Sequence, residues 1–532
     1  MPGDDTLNGR LRLAIAQVEP ALGDIAENLG RARKARAEAA RAGADLVVFP
    51  AGFLAGCPRQ DVATGPTFAR ACMDAVGMLA AETSDGGPGV VIGCPFMTED
   101  GIHDAVAVLD AGRILAWRSR VDMPLHRSFE APAAYRAGPM PGPVAFRGVR
   151  LGIPIGDDVW GDLDVCETLA ESGAELLLVS DAAPFRHGGL DLRHQAALRQ
   201  VIETDLPLVH VNGLGGQGDG VMDGASFAFQ SDRTLALQAL QFAAGMIVSD
   251  WAKIGEVWRC ETRQIADLPG PEEAVWRACV LAIRTHAESR DAKAVAVGLY
   301  GDRDSAIVAA MAVDALGPAC VHGVVVPDAA GPDDDADAAA AWGGSLGAAC
   351  HVAPPADIVA ACDGALGGPG DAGVLLRSRL RGMLLTVMAD RFGAALLGAT
   401  NLTALRLGIP ARDGVLADGL NPIADLSGGD LADLARWREG HRPADCLGPE
   451  AISVLPGLLE APPAPVGAVA GSVFAAESEP IVARLAAHGG DVDAVAAEGF
   501  DRNRVQLIGE ALYMTSLRRR PVTPGLRLDG RR

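Results

Sequence analysis

Ten cysteines, three lysines and a set of arginines and aspartates are the side chains here that could carry covalent or charge chemistry. The cysteines lie singly from Cys57 to Cys446, with no C-x-x-C pair and no metal-ligand spacing. They read as reduced thiols, mostly small core residues. Of the 46 basic residues only Lys34, Lys253 and Lys293 are lysines, so a step that needs a buried amine has three candidates. Arg303, Arg377 and Arg379 are a set able to receive an anion, or to pair with the plentiful carboxylates, which is the commoner use of arginine. Asp304 and Ser305 are residue types that also cap helices. Four aspartates between positions 333 and 337 read as a solvated loop or helix start running to Ala340, not as a metal site.

The elements that must position these groups follow from apolar patterning. Leu11–Gln17, Ala44–Pro50, Val90–Cys94, Ala105–Leu109, Val149–Ile153, Glu175–Val179 and Leu208–Asn212 are short apolar strands, with helical stretches between several of them, such as Glu27–Ala42. That alternation predicts a layered α/β domain. The polar stretch Ala266–Pro271 interrupts it and marks a boundary. A helix over Glu272–Ala287 then leads into a second series, with strands at Ala294–Leu299 and Val321–Pro327. Gly414–Gly429 reads as glycine-rich and irregular, and the tail from Arg518 as a short basic segment. At 532 residues, two to four domains of roughly 100–200 residues are expected. The net charge of −22 argues against general nucleic-acid or anionic-membrane binding. No apolar run reaches the roughly 18–20 residues of a membrane helix, and the acidic N-terminus lacks a signal-type stretch, so a cytoplasmic protein is expected.

Two sets of motifs carry a family resemblance. Gly43-Ala-Asp-Leu-Val-Val-Phe-Pro50, Arg150-Leu-Gly-Ile-Pro-Ile-Gly-Asp-Asp-Val-Trp160 and Asn212-Gly-Leu-Gly-Gly-Gln217, with Asp223-Gly-Ala-Ser-Phe227, resemble the nitrilase-type glutamine amidase domain. Asp304-Ser-Ala-Ile-Val-Ala-Ala310, Arg379-Leu-Arg-Gly-Met-Leu-Leu385 and Gly419-Leu-Asn-Pro-Ile-Ala-Asp425 resemble the ammonia-using NAD synthetase domain. In this order the halves resemble the glutamine-dependent NAD synthetase family. The resemblance implies a nitrilase-like αββα sandwich over residues 1–268. It implies an adenine-nucleotide α-hydrolase-like, Rossmann-type parallel-sheet domain over 272–532.

Nitrilase-type chemistry uses a cysteine thiolate, a glutamate base and a lysine for the oxyanion. The resemblance sets the glutamate at Ala51, the lysine at Arg120, four residues before Pro124, and the nucleophile at Gly156, ahead of Asp157-Asp158. Arginine keeps the charge but not the compact ammonium. A further acidic position aligns with Ala131, beside Glu130. Cys57, in Ala55-Gly-Cys-Pro58, stands where the family has a tyrosine near the glutamine pocket; a lone cysteine reads as an inert core residue rather than a relocated nucleophile. Loss of the nucleophile costs about 10⁶ in turnover in triad hydrolases.

The family's pyrophosphate loop, Ser-Gly-Gly-x-Asp-Ser, aligns with Tyr300-Gly-Asp-Arg-Asp-Ser305. Such loops let backbone N–H groups approach phosphates at a helix N-terminus. Gly301, Asp304 and Ser305 fit, and with Arg379 and Asn401 they are the remnants of nucleotide binding. Tyr300 and Asp302 depart from the pattern. A carboxylate about 4 Å from a phosphate repels it by roughly 4 kcal/mol at an effective dielectric near 20, about a thousandfold in affinity. An inward-turned Arg303 offsets part of that. Pro327 is followed by Asp-Ala-Ala330 instead of a Ser-Arg-Tyr loop. Leu375, Arg377, Leu402, Ala404 and Gly428 stand where the resemblance implies polar, charged or lysine side chains.

The expectation is a catalytically inactive paralogue, or pseudoenzyme, acting as a structural, regulatory or assembly subunit. It would form a homo-oligomer or co-assemble with an active NAD synthetase, with no metal, nucleic-acid or membrane partner. The rival is a divergent but active NAD synthetase or adenylating enzyme using ATP·Mg²⁺, deamido-NAD and free ammonia.

Overall fold

Strand-forming runs of valine, leucine and isoleucine in the first half pair into two seven-stranded sheets. The computed structural model describes residues 9–56, 65–123, 135–217, 220–327, 336–366, 373–407, 419–452 and 478–518. They divide into two units, Met1–Pro271 and Glu272–Arg532. The first unit begins β1 (Arg10–Gln17), α1 (Ile25–Arg41), β2 (Leu46–Val48), α2 (Pro66–Glu82), β3 (Gly89–Thr98), β4 (Gly101–Asp110) and β5 (Arg113–Ser119). It continues with β6 (Val144–Phe146), β7 (Val149–Gly152), α3 (Val165–Glu171), β8 (Leu176–Ser180), α4 (Gly189–Thr204) and β9 (Leu208–Val211). The hairpin β10 (Leu214–Gln217) and β11 (Gly220–Asp223) follows. Then come β12 (Phe227–Phe229), β13 (Leu235–Gln238), β14 (Gly245–Ile254), β15 (Val257–Cys260) and β16 (Gln264–Ile265).

The sheets run β15-β14-β1-β2-β3-β4-β5 and β16-β13-β12-β9-β8-β7-β6. Period-two alternation explains the layers. Leu11, Leu13 and Ile15 of β1 share a core with Val91, Val106, Leu151, Leu176 and Leu178, so the sheets pack face to face. Ala14 and Ala16 face away, onto Leu29 and Ala32 of α1 and Val76 and Leu79 of α2. Leu177, Val179 and Phe227 lie on the second sheet's outer face, with Leu169 of α3 and Val201 of α4. The result is an α–β–β–α sandwich. Two details differ from the sequence expectation. Ala44–Pro50 contributes only the three-residue β2. And β3–β4–β5 is an antiparallel meander with no helix between its strands. The β4–β5 turn explains it: Ala111 and Gly112 both have positive φ, 48° and 79°, the geometry of a two-residue hairpin.

The second unit has α5 (Pro271–Glu288), β17 (Ala294–Gly298), α6 (Arg303–Leu316), β18 (Val321–Val325), α7 (Ala336–Ser345) and β19 (Ala349–Val352). Then follow α8 (Ala356–Leu366), α9 (Gly373–Phe392), β20 (Ala394–Leu397), α10 (Leu402–Leu407) and α11 (Gly428–Gly440). Three helices complete it: α12 (Ser478–Ala487), α13 (Val492–Ala497) and α14 (Arg502–Arg518). The sheet is parallel, in the order β19-β18-β17-β20. Asp314 of α6 ties three helices together: it accepts from Trp276 Nε1 of α5 at 2.8 Å and from Arg438 Nε and Nη2 of α11 at 2.8 and 2.9 Å.

The aspartate run, read as a loop or a helix start, leads into a helix, and the stretch expected to be glycine-rich and irregular ends in one. α7 begins at Ala336, while residues 328–335 lie outside the described residues. Residues 414–418 also lie outside them, but Gly428 opens α11, because Ser427 accepts from Asp430 N–H and Asp430 reaches back to Ser427 N–H. That reciprocal capping outweighs the helix cost of the two glycines. Beyond Arg518 the basic tail is outside the described residues. Among the described residues no helix is long and apolar enough to cross a membrane.

Candidate active sites of the two units

In the first unit, positions 51, 120 and 156 converge on Asp181, just past the end of β8. Ala51 N–H donates to Asp181 O at 3.3 Å. Gly156 follows the strand end Gly152–Ile155 with φ of +50°, a left-handed conformation that favours glycine. A Cβ built there would stand 3.1 Å from Arg120 Nη1 and 3.5 Å from Asp181 Oδ1. The arginine head therefore fills the space in front of position 156.

Arg120 is surrounded by acid. It pairs with Asp104 at 3.3 Å and Asp157 at 3.6 Å. Burial disfavours its charge, but Asp104, Asp157, Asp158 and Asp181 outweigh that and raise its pKa. Asp158 is not its ion-pair partner. That carboxylate accepts three backbone N–H groups, from Val121 at 2.9 Å, Asp122 at 2.8 Å and Ile155 at 3.0 Å. Burial pushes its pKa up to about 6 against the pull of those bonds. Asp181 accepts from Ala182 N–H at 2.8 Å and lies 3.1 Å from His210 Nε2. Burial raises its pKa, yet the histidine bond brings the net shift below the ordinary carboxylate value. Asp104, Asp181 and His210 carry no motif; their signal is only that each sits at or beside a strand of the sandwich.

The described thiols of this unit are not aimed at the site. Cys72 and Cys94 lie in the helix-side core of the first sheet, and Cys166, on the buried side of α3, lies in the core on the second sheet's outer face. Cys260 donates to Thr262 O at 3.2 Å. Burial raises all four, Cys72 to about 12 and Cys260 to about 11, which opposes thiolate formation. Cys57, Pro124, Glu130 and Ala131 lie outside the described residues. Lys34 and Lys293 are exposed, and Lys253 pairs with Glu175 at 2.5 Å.

In the second unit the loop after β17 folds onto itself. Gly301 has φ of +69°, which turns the chain from strand into helix. Asp302 caps α6: its Oδ1 accepts Ser305 N–H at 2.9 Å and Ser305 O–H at 2.6 Å. The cap is thus Asp302, while Asp304 and Ser305 belong to the first turn. Two donors at the helix end where phosphates bind in such loops, the Ser305 N–H and O–H, therefore already serve a carboxylate of the chain. Tyr300 is buried and lies against Gly298, where any Cβ would collide with its hydroxyl.

Asp304 accepts from Asn401 Nδ2 at 2.6 Å and pairs with Arg303 at 3.3 Å. Burial first, and then Asp302, raises its pKa to about 7. Asn401 Oδ1 accepts Ala404 N–H at 2.8 Å, so it also caps α10. Arg303 is turned inward, with only 12% of its side chain exposed, and its Nη2 occupies the space any side chain at Gly428 would enter. Glu479 of α12 accepts from Gly428 N–H and, at 2.9 Å, from Thr403 Oγ1, a contact no motif announces.

The two arginines of the motif lie in different surroundings. Arg379 is exposed, whereas Arg381 is buried with its guanidinium 5.9 Å from the Tyr300 ring centre. Residues two apart on a helix point to different sides, so only one of the two can face the loop. The side chains of Leu375 and Arg377 lie outside the described set.

Comparison with known proteins bears on both units. Residues 12–254 match the family Carbon-nitrogen hydrolase and residues 275–453 match NAD synthase. The glutamine-dependent NAD(+) synthetase of Rhodobacter capsulatus is 34% identical over 540 residues, covering 99% of this chain and 97% of that protein. That of Synechocystis is 26% identical, covering 98% and 96%. Two solved glutamine-dependent NAD+ synthetases share the fold. The Acinetobacter baumannii protein, in complex with ADP, has a TM-score of 0.73 at 23% identity, with 98% and 97% coverage. The Cytophaga hutchinsonii protein has 0.76 at 17%, with 98% and 95%. The chain belongs to the glutamine-dependent NAD(+) synthetase family.

Proposed function

We propose that this chain is a non-catalytic member of its family, a cytoplasmic subunit with a structural, regulatory or assembly role. It would act in a homo-oligomer or beside an active NAD synthetase. The observation that carries this reading is at Gly156: the position the resemblance assigns to the nucleophile has no side chain, and the Arg120 head lies 3.1 Å from where a Cβ would be. Acyl transfer needs a nucleophile and a base, and Ala51 supplies no base. In the second unit, Asp302 on the Ser305 donors supports the same conclusion.

A second reading is favoured by one contact. Asn401 and Asp304, both remnants of nucleotide binding by the resemblance, stay joined, with Asn401 donating to Asp304 at 2.6 Å, which favours a working adenylating site using free ammonia. One experiment separates the two. The purified chain is titrated with ATP·Mg²⁺ and deamido-NAD, and NAD formation is followed with glutamine or ammonium. The non-catalytic reading expects no turnover with either nitrogen source. Turnover with ammonium overturns it.

A further inference from the structure

Two imidazoles meet on the second unit's sheet, apart from both sites above. β18 and β19 are parallel neighbours, with His322 opposite Ala349 and Val324 opposite His351, which makes the histidines diagonal neighbours. Val324 and Val326 pack with Leu385 and Ala389 of α9, so alternation puts His322 on that same face. His322 Nδ1 and His351 Nε2 lie 3.2 Å apart. The ring of Phe392, at the end of α9, stacks on His322 at 4.3 Å and 14° and meets His351 at 4.4 Å and 30°. One aromatic wall thus holds both rings, and both histidines remain partly open to solvent.

That separation suits a shared metal ion. Two Zn–N bonds of about 2.0–2.1 Å at the tetrahedral angle hold their nitrogens about 3.3–3.4 Å apart. Imidazole nitrogen is a preferred ligand of Zn²⁺, Cu²⁺ and Ni²⁺ when neutral. Cys350, next to His351, adds no ligand, because its sulfur faces Gly323 and Gly343 on the other side of the sheet. Among the described residues no third acidic, cysteine or histidine group completes a cluster, so water would fill the remaining positions. Such a site exchanges its ion, unlike a closed four-ligand structural site.

We propose that His322 and His351 form a two-imidazole site for one divalent transition-metal ion of the Zn²⁺/Cu²⁺ class, joining the edge strand β19 to β18. Binding replaces the ring-to-ring hydrogen bond. Each neutral ring presents the facing nitrogen as a lone pair and carries its proton on the other nitrogen, so no net proton is released.

The test uses the full chain titrated with Cu²⁺ and followed by electron paramagnetic resonance, with Zn²⁺ and the thermal midpoint as a second readout. The expected result is one copper per chain whose spectrum shows coupling to two imidazole nitrogens, and a midpoint raised by Zn²⁺. His322→Gln and His351→Gln each remove that signal and weaken copper binding by about tenfold or more, whereas His488→Gln, at an exposed histidine paired with Glu498, leaves it intact. A copper site unchanged in both variants overturns the proposal. So does a parent spectrum with fewer than two nitrogens, an outcome that does not depend on how well the variants fold.

Discussion

In the first unit a cation sits among carboxylates; in the second a carboxylate sits among hydrogen-bond donors. Arg120 is held by Asp104 and Asp157, with Asp158 and Asp181 close behind. Asp302 is held by the N–H and O–H of Ser305. At position 156 the family's side chain is missing and a neighbour fills the space. At position 302 a side chain has been added, and it takes a ligand's partners. On the proposed reading, the first arrangement lacks atoms that the chemistry uses, whereas the second carries a carboxylate more than the phosphate loop of the resemblance. The two units thus depart from the pattern of the resemblance in opposite ways, one by a missing side chain and one by an added one.

The largest effect is expected at Arg120. Arg120→Met leaves buried carboxylates without their cation, and breaking a buried pair costs about 3–5 kcal/mol. The midpoint of denaturant unfolding should fall accordingly, and an unchanged midpoint would mean that these acids do not depend on the arginine. Asp302→Gly should free Ser305 and raise pyrophosphate affinity by up to about a thousandfold, measured by calorimetry, with only a few tenths of a kcal/mol lost from the helix cap. If affinity stays flat, other residues block the loop.

Acid behaviour sharpens the contrast. Burial and the neighbouring Asp302 push the Asp304 carboxyl up to about 7 from the ordinary 3.8, so the folded state binds more protons between those values. Stability from this group is therefore greatest below about pH 4 and falls as pH rises to 7, on the order of 1 kcal/mol per pH unit. Asp304→Asn should remove that slope. Asp158, raised to about 6, has the same sign over a narrower window. A steeper loss of slope in Asp158→Asn than in Asp304→Asn would reverse the ranking of the two sites. The smallest effect is at Gly156. Gly156→Cys introduces a Cβ near Arg120 at positive φ, at a cost of about 1–2 kcal/mol. It should give no glutaminase turnover while Ala51 remains, and measurable glutamate release would remove the basis for calling that site inert.

Much of the architecture was legible in residue order. β8 and β17 announce themselves as short apolar runs, because a strand buried on both faces leaves few places for polar side chains, and β1 does so through Leu11–Ala16 despite the exposed Arg12. The meander β3–β4–β5 was less legible: a two-residue hairpin turn is a local backbone event that leaves little mark on hydrophobic period. The start of α11 at Gly428 was hidden for a similar reason, since the Ser427–Asp430 capping box offsets two poor helix formers.

The sites divide along the same line. Residue identity by itself determined that positions 51 and 156 carry no acid, base or thiol, that Arg120 is a guanidinium, and that a carboxylate stands at 302. Those are covalent facts, and no packing can add an atom. Tertiary structure alone decided where those groups point. Asp302 turns onto Ser305, Arg303 turns inward over Gly428, and Arg381 rather than Arg379 faces Tyr300. Arg120 takes Asp104 and Asp157, while Asp158 is drawn off by three backbone N–H groups. Charge pairing depends on distance and burial, and both are set by which strands and helix ends the fold brings together from far apart in the chain.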